Sequence, residues 1–141
     1  MAEFGPPEVL RLVETPAPEP GPEDVLVRVA GAAVNWIDVS LRAGRLADAG
    51  LLVPAPHHGL GWDVAGTVAS VRAAVTDLAP GDRVIGLRDV LGLPGSHAEA
   101  VLLHRSAVTP APTDVDLVAA AALPLAGVTA LGALANAGLG T

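Results

Sequence analysis

The chain contains no cysteine, and the side chains that stand out as chemical candidates are amides, carboxylates, indoles and imidazoles. Asn35, Trp36 and Asp38 form one cluster along the sequence, and Trp62 and Asp63 form another. An amide both donates and accepts hydrogen bonds, an ionised carboxylate only accepts them, and an indole only donates. Such groups can orient a substrate and stabilise developing charge. The missing thiol excludes every thiolate metal site and any disulfide framework.

Histidine is the other residue type here that can bind a metal ion or move a proton. His57 and His58 are adjacent, and successive loop residues rarely both point at one ion, so we expect no metal at this pair. His97 has a side chain of the type that shuttles protons near neutral pH. We expect it to have a structural role on a strand instead. The sequence therefore predicts no metal site.

A strand and a short helix are predicted to hold the first cluster. Over residues 25–30, β-branched residues recur at every second position, which predicts a strand with its valines on one face. Asn35 can cap a helix from about residue 36 to residue 43, and Gly44 can end it. A cap and an amide that projects into a cleft are both open interpretations of Asn35, and the two are compatible.

The second cluster begins another predicted strand, over residues 62–71. Gly66 interrupts this strand, so we expect a bulge or a close backbone approach there. The tripeptide Pro80-Gly81-Asp82 predicts a tight turn before a strand at 83–87, and residues 96–103 predict one more strand. Asp63 enters a strand, where a carboxylate needs polar partners, so we expect a turn or a buried polar contact.

The two ends of the chain differ in composition. Residues 9–13 predict a short strand, and the prolines that follow between residues 16 and 22 predict an extended connection. Residues 114–138 are rich in Ala and Leu and contain one proline, Pro124, which predicts two successive helices. Thr113, with acids just after it, is the expected helix start.

Composition limits the classes of function. The 141 residues are 51% hydrophobic but only 2% aromatic, and they include 13 Pro and 16 Gly, which favours a β-rich domain with a Val, Leu and Ala core. The net charge of −7 makes nucleic acid an improbable partner. Residues 117–135 are about long enough to span a membrane, but their alanines, glycines and proline favour a packed helix, so we expect no membrane. With no signal peptide visible, the expected location is the cytoplasm.

Four segments together resemble one known family. They are 32–44 (Ala-Ala-Val-Asn-Trp-Ile-Asp, then Arg-Ala-Gly), 61–66 (Gly-Trp-Asp-Val-Ala-Gly), 80–84 (Pro-Gly-Asp-Arg-Val) and 121–130 (Ala-Ala-Leu-Pro-Leu-Ala-Gly-Val-Thr-Ala). In this order they are similar to the zinc-free quinone oxidoreductases of the medium-chain dehydrogenase/reductase superfamily. Each segment alone is weak evidence, but four in order over most of the chain are unlikely to arise by chance.

The resemblance implies a fold that is mainly β with α. It consists of a GroES-like, partly opened β-barrel followed by two C-terminal helices. Residues 1–123 would form a partial GroES-like, substrate-side domain, and residues 124–141 a connecting helix toward a missing Rossmann domain. The chain has no Gly-x-Gly-x-x-Gly run after a strand, the usual pyrophosphate-binding fingerprint of that domain. We therefore expect the chain to be truncated there, and also shortened at its start.

The resemblance also implies the site residues. Asn35, Trp36, Leu46 and Trp62 would face the substrate, while Asn35, Asp38 and Thr129 would lie on the cofactor side. Asp38 can instead be a solvated acid in the first turn of its helix, and Thr129 can bond a carbonyl of its own helix. The two tryptophans are expected in the core or in the cleft wall, since indole is largely apolar. No residue is assigned as catalytic.

Two departures from the family change its implications. Where the zinc alcohol dehydrogenase branch binds its metal with Cys and His, this chain has Asn35 and Trp62, which do not complete a zinc site. Leu46 stands where many members carry a tyrosine, and the chain has no tyrosine anywhere. A tyrosine hydroxyl therefore cannot be the proton donor.

The expected function is the substrate-side part of an NADPH-dependent oxidoreductase. The intact family member would reduce quinones or activated, α,β-unsaturated carbonyl compounds by hydride transfer without zinc, and the fragment alone would be inactive. The alternative is an inactive GroES-like fragment or binding module that needs a partner chain. Either a homodimer or a missing C-terminal domain would cover the apolar surface that such a truncated chain exposes.

Overall fold

The protein is described by a computed structural model over residues 1–16, 19–88 and 94–139. Five strands are present, β1 to β5, at Asp24–Gly31, Asp63–Val71, Arg83–Leu87, Ala100–His104 and Val108–Pro110. The four α-helices, α1 to α4, are Trp36–Arg42, Arg45–Asp48, Leu117–Ala120 and Pro124–Asn136. The strands form one antiparallel sheet in the order β4-β1-β2-β3-β5, which is not closed. The expected architecture, an open sheet followed by two C-terminal helices, is present.

Valine alternation builds the main core. Val25 and Val27 of β1 are fully buried and pack with Val64 and Val68 of β2 and with Val84 of β3. Side chains in a strand point alternately to opposite faces, so every second residue of β1 enters the same apolar layer. The strand predicted from this alternation is confirmed, and β1 occupies a central position in the sheet.

The expected irregularity at Gly66 is also confirmed. Gly66 pairs with Val29 of β1, and the register between the two strands shifts between Val29 and Gly31. A Cβ at Gly66 would overlap the carbonyl oxygen of Arg28 and lie 2.7 Å from Cγ1 of Val27. Glycine is therefore required here because β1 approaches too closely for any side chain.

The predicted strand at residues 9–13 is wrong. Pro7–Val9 form a 3₁₀ turn, and the residues after it are extended but outside the sheet. The side chains of Leu12 and Val13 are 102% and 64% exposed. An apolar run becomes a strand only where a partner strand satisfies its backbone groups. The prolines before and after this run favour the turn and an extended chain, and residues 17 and 18 lie outside the described part.

The last predicted strand begins later than expected. It runs over Ala100–His104, whereas residues 96–99 form a bend. The amide of Ser96 donates to the carbonyl of Gly61 at 3.0 Å, and the amide of His97 donates to that of Leu60 at 2.9 Å. These bonds hold the bend against the loop that precedes β2, so residues 96 and 97 contact the site described below instead of joining the sheet.

The two predicted C-terminal helices are present as α3 and α4. Asp116, not Thr113, caps α3, and its carboxylate accepts hydrogen bonds from two amides of the first turn. By length and composition alone, the stretch Leu117–Asn136 could cross a membrane, and little of it is buried. A turn at residues 121–123 separates the two helices. The expected packing is seen at α3, where Ala120 is buried in the core. It is not seen along α4, in which Pro124 is the one buried residue.

Candidate functional site

Asp38 joins the start of α1 to the loop that precedes β2. Its Oδ2 accepts the backbone N–H of Asn35 at 2.8 Å, and its Oδ1 accepts the backbone N–H of Gly61 at 2.7 Å. The side chain is 2% exposed. The interpretation of Asp38 as a solvated acid is therefore wrong, because both oxygens satisfy buried backbone donors. The carboxylate therefore fixes the backbone at Asn35 relative to the loop that precedes β2.

Asn35 has the cap position that its sequence suggested, and its side chain bonds the second cluster. It is the N-cap residue of α1, in extended conformation at φ −118° and ψ 163°. Its side-chain Nδ2 also donates to Oδ2 of Asp63 at 2.7 Å. The residue as a whole is half-buried. The carboxylate of Asp63 therefore fixes the position of the Asn35 amide.

Asp63 is the centre of this arrangement. It is 1% exposed, and its Oδ1 accepts the backbone N–H of Leu125, in the first turn of α4, at 2.7 Å. Its own backbone carbonyl accepts the hydroxyl of Ser96 at 2.6 Å. The predicted buried polar contact of Asp63 is confirmed. Thr129 lies one helical turn after Leu125, on the same side of α4, and its side chain is exposed.

Ser96 is a site residue that the sequence reasoning missed. It is fully buried, and its backbone and hydroxyl bond Gly61 and Asp63. Gly61 has φ +96°, and a Cβ there would lie 2.7 Å from the backbone nitrogen of His97 and overlap Oγ of Ser96. The glycines at 59, 61 and 95 were the available signal, since such residues often mark a close backbone approach.

Trp62 is a core residue. It is 8% exposed and packs with fully buried Leu41, and Leu46 is a partly buried member of the same cluster. Within the part of the chain that the structure describes, the buried Nε1 of Trp62 has no hydrogen-bond partner. Of the expected substrate-facing residues, Trp62 and Leu46 therefore lie together in an apolar layer behind α1.

Trp36 lies apart from that layer. It is the first residue of α1, and it is 85% exposed. The interpretation of Trp36 as a core residue is wrong, and the cleft wall remains as its predicted role. Its apolar ring therefore stands at the surface, next to Asn35 in the chain.

The histidines do not converge. Nε2 of His97 lies 3.2 Å from the carbonyl oxygen of Ala33, and its residue sits in the bend before β4 instead of on a strand. The ring of His58 packs on Phe4 with centroids 5.4 Å apart. Among the described residues, no group of three or more His, Asp or Glu side chains is arranged to hold a metal ion.

An apolar groove of about 480 Å³ lies between the sheet and α4. Ile85 and Val108 form its floor, and Leu123, Val128 and Leu131 form its helical side. The exposed fractions of Val128, Leu131 and Leu134 are 57%, 69% and 46%. The groove side of α4 is therefore an apolar surface that the rest of the described chain covers only in part.

Comparison with known proteins places these residues in a family context. The model of the alcohol dehydrogenase GroES-like domain matches residues 21–113, which include α1, Asp63 and Ser96. A quinone oxidoreductase of Pseudomonas aeruginosa is 36% identical over 130 residues, covering 91% of this chain and 37% of the relative. An NADPH-dependent alkenal/one oxidoreductase of Arabidopsis thaliana is 33% identical, covering 92% of this chain and 34% of the relative.

Solved structures show the same fold. The quinone oxidoreductase of Coxiella burnetii superposes with a TM-score of 0.82 at 34% identity, over 96% of this chain and 43% of that protein. The Escherichia coli quinone oxidoreductase, solved in complex with NADPH, superposes with a TM-score of 0.77 at 27% identity, over 94% of this chain and 38% of that protein. The present chain thus spans well under half the length of these relatives.

Proposed function

Because the chain belongs to the alcohol dehydrogenase GroES-like domain family of the medium-chain dehydrogenase/reductase superfamily, we propose that it forms the substrate-side part of an NADPH-dependent reductase. The reaction is the transfer of a hydride to a quinone or to an activated, α,β-unsaturated carbonyl compound, without zinc. The cytoplasm is part of this proposal, since a chain without cysteine suits a reducing compartment. Residues 1–123 form the substrate-side domain, and residues 124–141 lead toward a nucleotide-binding domain.

The observation that carries the proposal is the amide of Asn35, held by Asp63 at the domain surface. A preorganised amide can donate to, or accept from, a ligand without reorganising when it binds. The relatives named as quinone and alkenal/one oxidoreductases supply the substrate class. Since the chain spans 37% of the first relative, the activity of the whole enzyme rests on this inference and not on the chain alone.

The donor set at the matched metal positions does not suit zinc. Zinc is held by thiolate, imidazole or carboxylate groups. Asn35 offers an amide that is already bonded to Asp63, and Trp62 offers an indole that has no lone pair for a metal. Asp63, the nearest carboxylate, has both oxygens bonded by N–H donors. The reaction proposed here therefore uses no metal at this position.

NADPH supplies the hydride when it is bound. Of the residues expected beside it, Asn35 is half-buried and Thr129 is exposed, so both residues remain accessible to a ligand. Asp38 does not fit a direct contact, because its two oxygens are bonded to backbone amides and its side chain is buried. Its role is to hold the backbone that carries Asn35.

The test is an assay of the complete gene product that contains this chain, with NADPH and a series of quinones and enones. We expect oxidation of NADPH, and a loss of about tenfold in kcat/KM for Asn35→Ala, which corresponds to one hydrogen bond to a bound ligand. Asn136→Ala, at the exposed end of α4, is the matched control and should retain full activity. Equal losses in the two variants, or no turnover with any acceptor, would overturn the proposal.

The alternative function is an inactive GroES-like module that needs a partner chain. The observation in its favour is the exposed apolar groove side of α4, because exposed apolar patches of this kind mark interaction surfaces. Calorimetry separates the two functions when the complete gene product is titrated with NADPH. Binding supports the reductase, and an absence of binding favours the module.

Either function predicts that the 141-residue chain associates when it is isolated. We expect dimers or larger species in sedimentation velocity, because α4 exposes Leu131 at 69% and its neighbours on the same side. Leu131→Lys should shift the distribution toward monomer, since a charge in an apolar contact is costly. Leu12→Lys, at a fully exposed position outside the sheet, is the control and should leave it unchanged. A compact monomer that melts cooperatively would contradict this prediction.

A further inference from the structure

We propose that the carboxylate of Asp63 fixes the direction in which Asn35 presents its amide, and that it couples this amide to the first turn of α4. The catalytic consequence rests on the proposed function, whereas the structural coupling does not. Asp63 is buried at 1% exposure, and its two oxygens have different partners, Nδ2 of Asn35 and the backbone nitrogen of Leu125. It is a positioning residue that does not need to contact a ligand.

The first step concerns the polarity of the Asn35 amide. The two ends of an asparagine amide are nearly the same size, so packing alone does not decide which end faces inward. An ionised carboxylate only accepts hydrogen bonds. Asp63 therefore bonds only the Nδ2 end of Asn35, at 2.7 Å. The Oδ1 end is therefore directed away from Asp63, so the orientation of the Asn35 amide is fixed.

The second step concerns α4. The first backbone amides of a helix have no partner within the helix. Leu123, the N-cap residue of α4, makes no side-chain capping bond. Asp63, from a strand 62 positions earlier in the sequence, supplies the acceptor to Leu125, and its negative charge suits the helix N-terminus. One carboxylate thus positions both α1 and α4, the helix that carries Thr129.

The backbone of Asp63 is itself held in place. The hydroxyl of Ser96 donates to the carbonyl oxygen of Asp63 at 2.6 Å, and Ser96 is fully buried. Asp63 also pairs with Leu87 at the start of β2. The carboxylate is therefore anchored to the sheet, so it can determine where the two helices sit and is not simply carried along by them.

An asparagine at position 63 keeps the shape of the side chain but removes the negative charge and one of the two accepting oxygens. Its amide has one accepting oxygen, so it can serve both neighbours only if Asn35 rotates to present Oδ1. Asp63→Asn must therefore either reverse the Asn35 amide or lose one bond. Asp116→Asn is the matched control, because both amides that Asp116 caps bond the same Oδ1, which asparagine retains.

The direct test is hydrogen exchange of the full 141-residue chain, with the side-chain amide of Asn35 followed by NMR. For Asp63→Asn we expect about tenfold faster exchange at the Leu125 amide, or else a large shift of the Asn35 amide resonances, since one buried bond is lost or reversed. Asp116→Asn should change neither signal. If Asp63→Asn leaves both signals as they are, or if the control changes them equally, the proposal fails.

A second measurement covers the case in which Asp63→Asn does not fold. In the unsubstituted chain, labelled with ¹⁵N and ¹³C, we expect scalar couplings across hydrogen bonds that link the Asp63 carboxyl carbon to Nδ2 of Asn35 and to the backbone nitrogen of Leu125. Both bonds are short, at 2.7 Å each. The absence of both couplings in a folded chain would overturn the proposal.

The catalytic consequence is tested by a double-substitution cycle on kcat/KM of the complete gene product. If Asp63 acts through Asn35, the loss caused by Asp63→Asn should nearly vanish when Asn35 is already alanine, because the two losses are not additive for one shared interaction. Independent, additive losses would show that Asp63 has only a structural role. If the gene product turns over no acceptor at all, the proposed function fails, while the exchange and coupling measurements still decide the positioning.

Discussion

Replacing Gly61 by alanine is expected to lower the free energy of unfolding by about 3 kcal/mol or more. Gly61 has φ +96°, a conformation that costs about 1–2 kcal/mol for a residue with a Cβ. The added methyl group would also overlap Ser96 Oγ and come within 2.7 Å of the His97 backbone nitrogen. Because the bend at 95–97 is bonded to this loop, the overlap cannot be relieved without breaking those bonds.

Gly81→Ala is the matched control for this substitution. Gly81 has φ +98°, almost the same conformation, but no atom lies within 4 Å of where its Cβ would be. Its cost should be limited to the conformational part, about 1–2 kcal/mol. Urea unfolding of the two variants, followed by circular dichroism, measures the difference. Equal losses of stability would mean that the contact between Ser96 and the loop before β2 is not as tight as described.

Replacing Asp38 by alanine is expected to cost about 2–5 kcal/mol. Each oxygen of Asp38 accepts one backbone N–H, that of Asn35 or that of Gly61, and the substitution removes both of these bonds. Asp38 is only 2% exposed. A buried donor without a partner costs about 1–3 kcal/mol. The first turn of α1 also loses a negative charge near its N-terminus. We expect both the stability and the position of Asn35 to be affected.

Asp82→Ala is the control for Asp38. Asp82 also accepts one backbone amide three positions away, that of Ala79 at 2.8 Å, but it is exposed in a turn. Its loss should be within about 1 kcal/mol, since water replaces the bond. Chemical unfolding gives the two values, and hydrogen exchange at Gly61 reports the local effect. If Asp38→Ala were no more costly than Asp82→Ala, the buried link between α1 and the loop would be refuted.

Local patterns in the sequence were sufficient for most of the fold. The alternation around Val25 and Val27 predicts β1 because burial on one face of a strand follows directly from a repeat of two. Asn35 as a cap and Gly44 as a stop predict α1 because both act within a few residues. The predicted strand at 9–13 failed because a strand needs a partner elsewhere in the chain, which a local pattern does not reveal.

The site was predictable only in part, because its bonds join distant positions. That Asp63 would need polar partners follows from the cost of burying a carboxylate. Its actual partners, Asn35, Leu125 and Ser96, are separated from it by 28 to 62 positions. Ser96 has no distinctive local pattern, and the exposure of Trp36 depends on which way α1 turns against the sheet. Pairing of this kind is determined by tertiary structure.

For the function, too, local sequence patterns and contacts between distant residues give different information. The four sequence segments suggested the family before any fold was known, and the match over residues 21–113 supports that assignment. The hydrogen bond between Asn35 and Asp63 then shows which amide is preorganised and which residue positions it. The choice of electron-accepting substrate and the binding of the cofactor depend on parts of the relatives that this chain does not span.

The decisive experiment measures NADPH consumption by the complete gene product after exhaustive dialysis against a zinc chelator. With a quinone or an enone as acceptor, we predict turnover that the chelator does not reduce and that added zinc does not raise. Activity that disappears on chelation and returns with zinc would contradict this prediction, as would a failure to oxidise NADPH with every acceptor of either class.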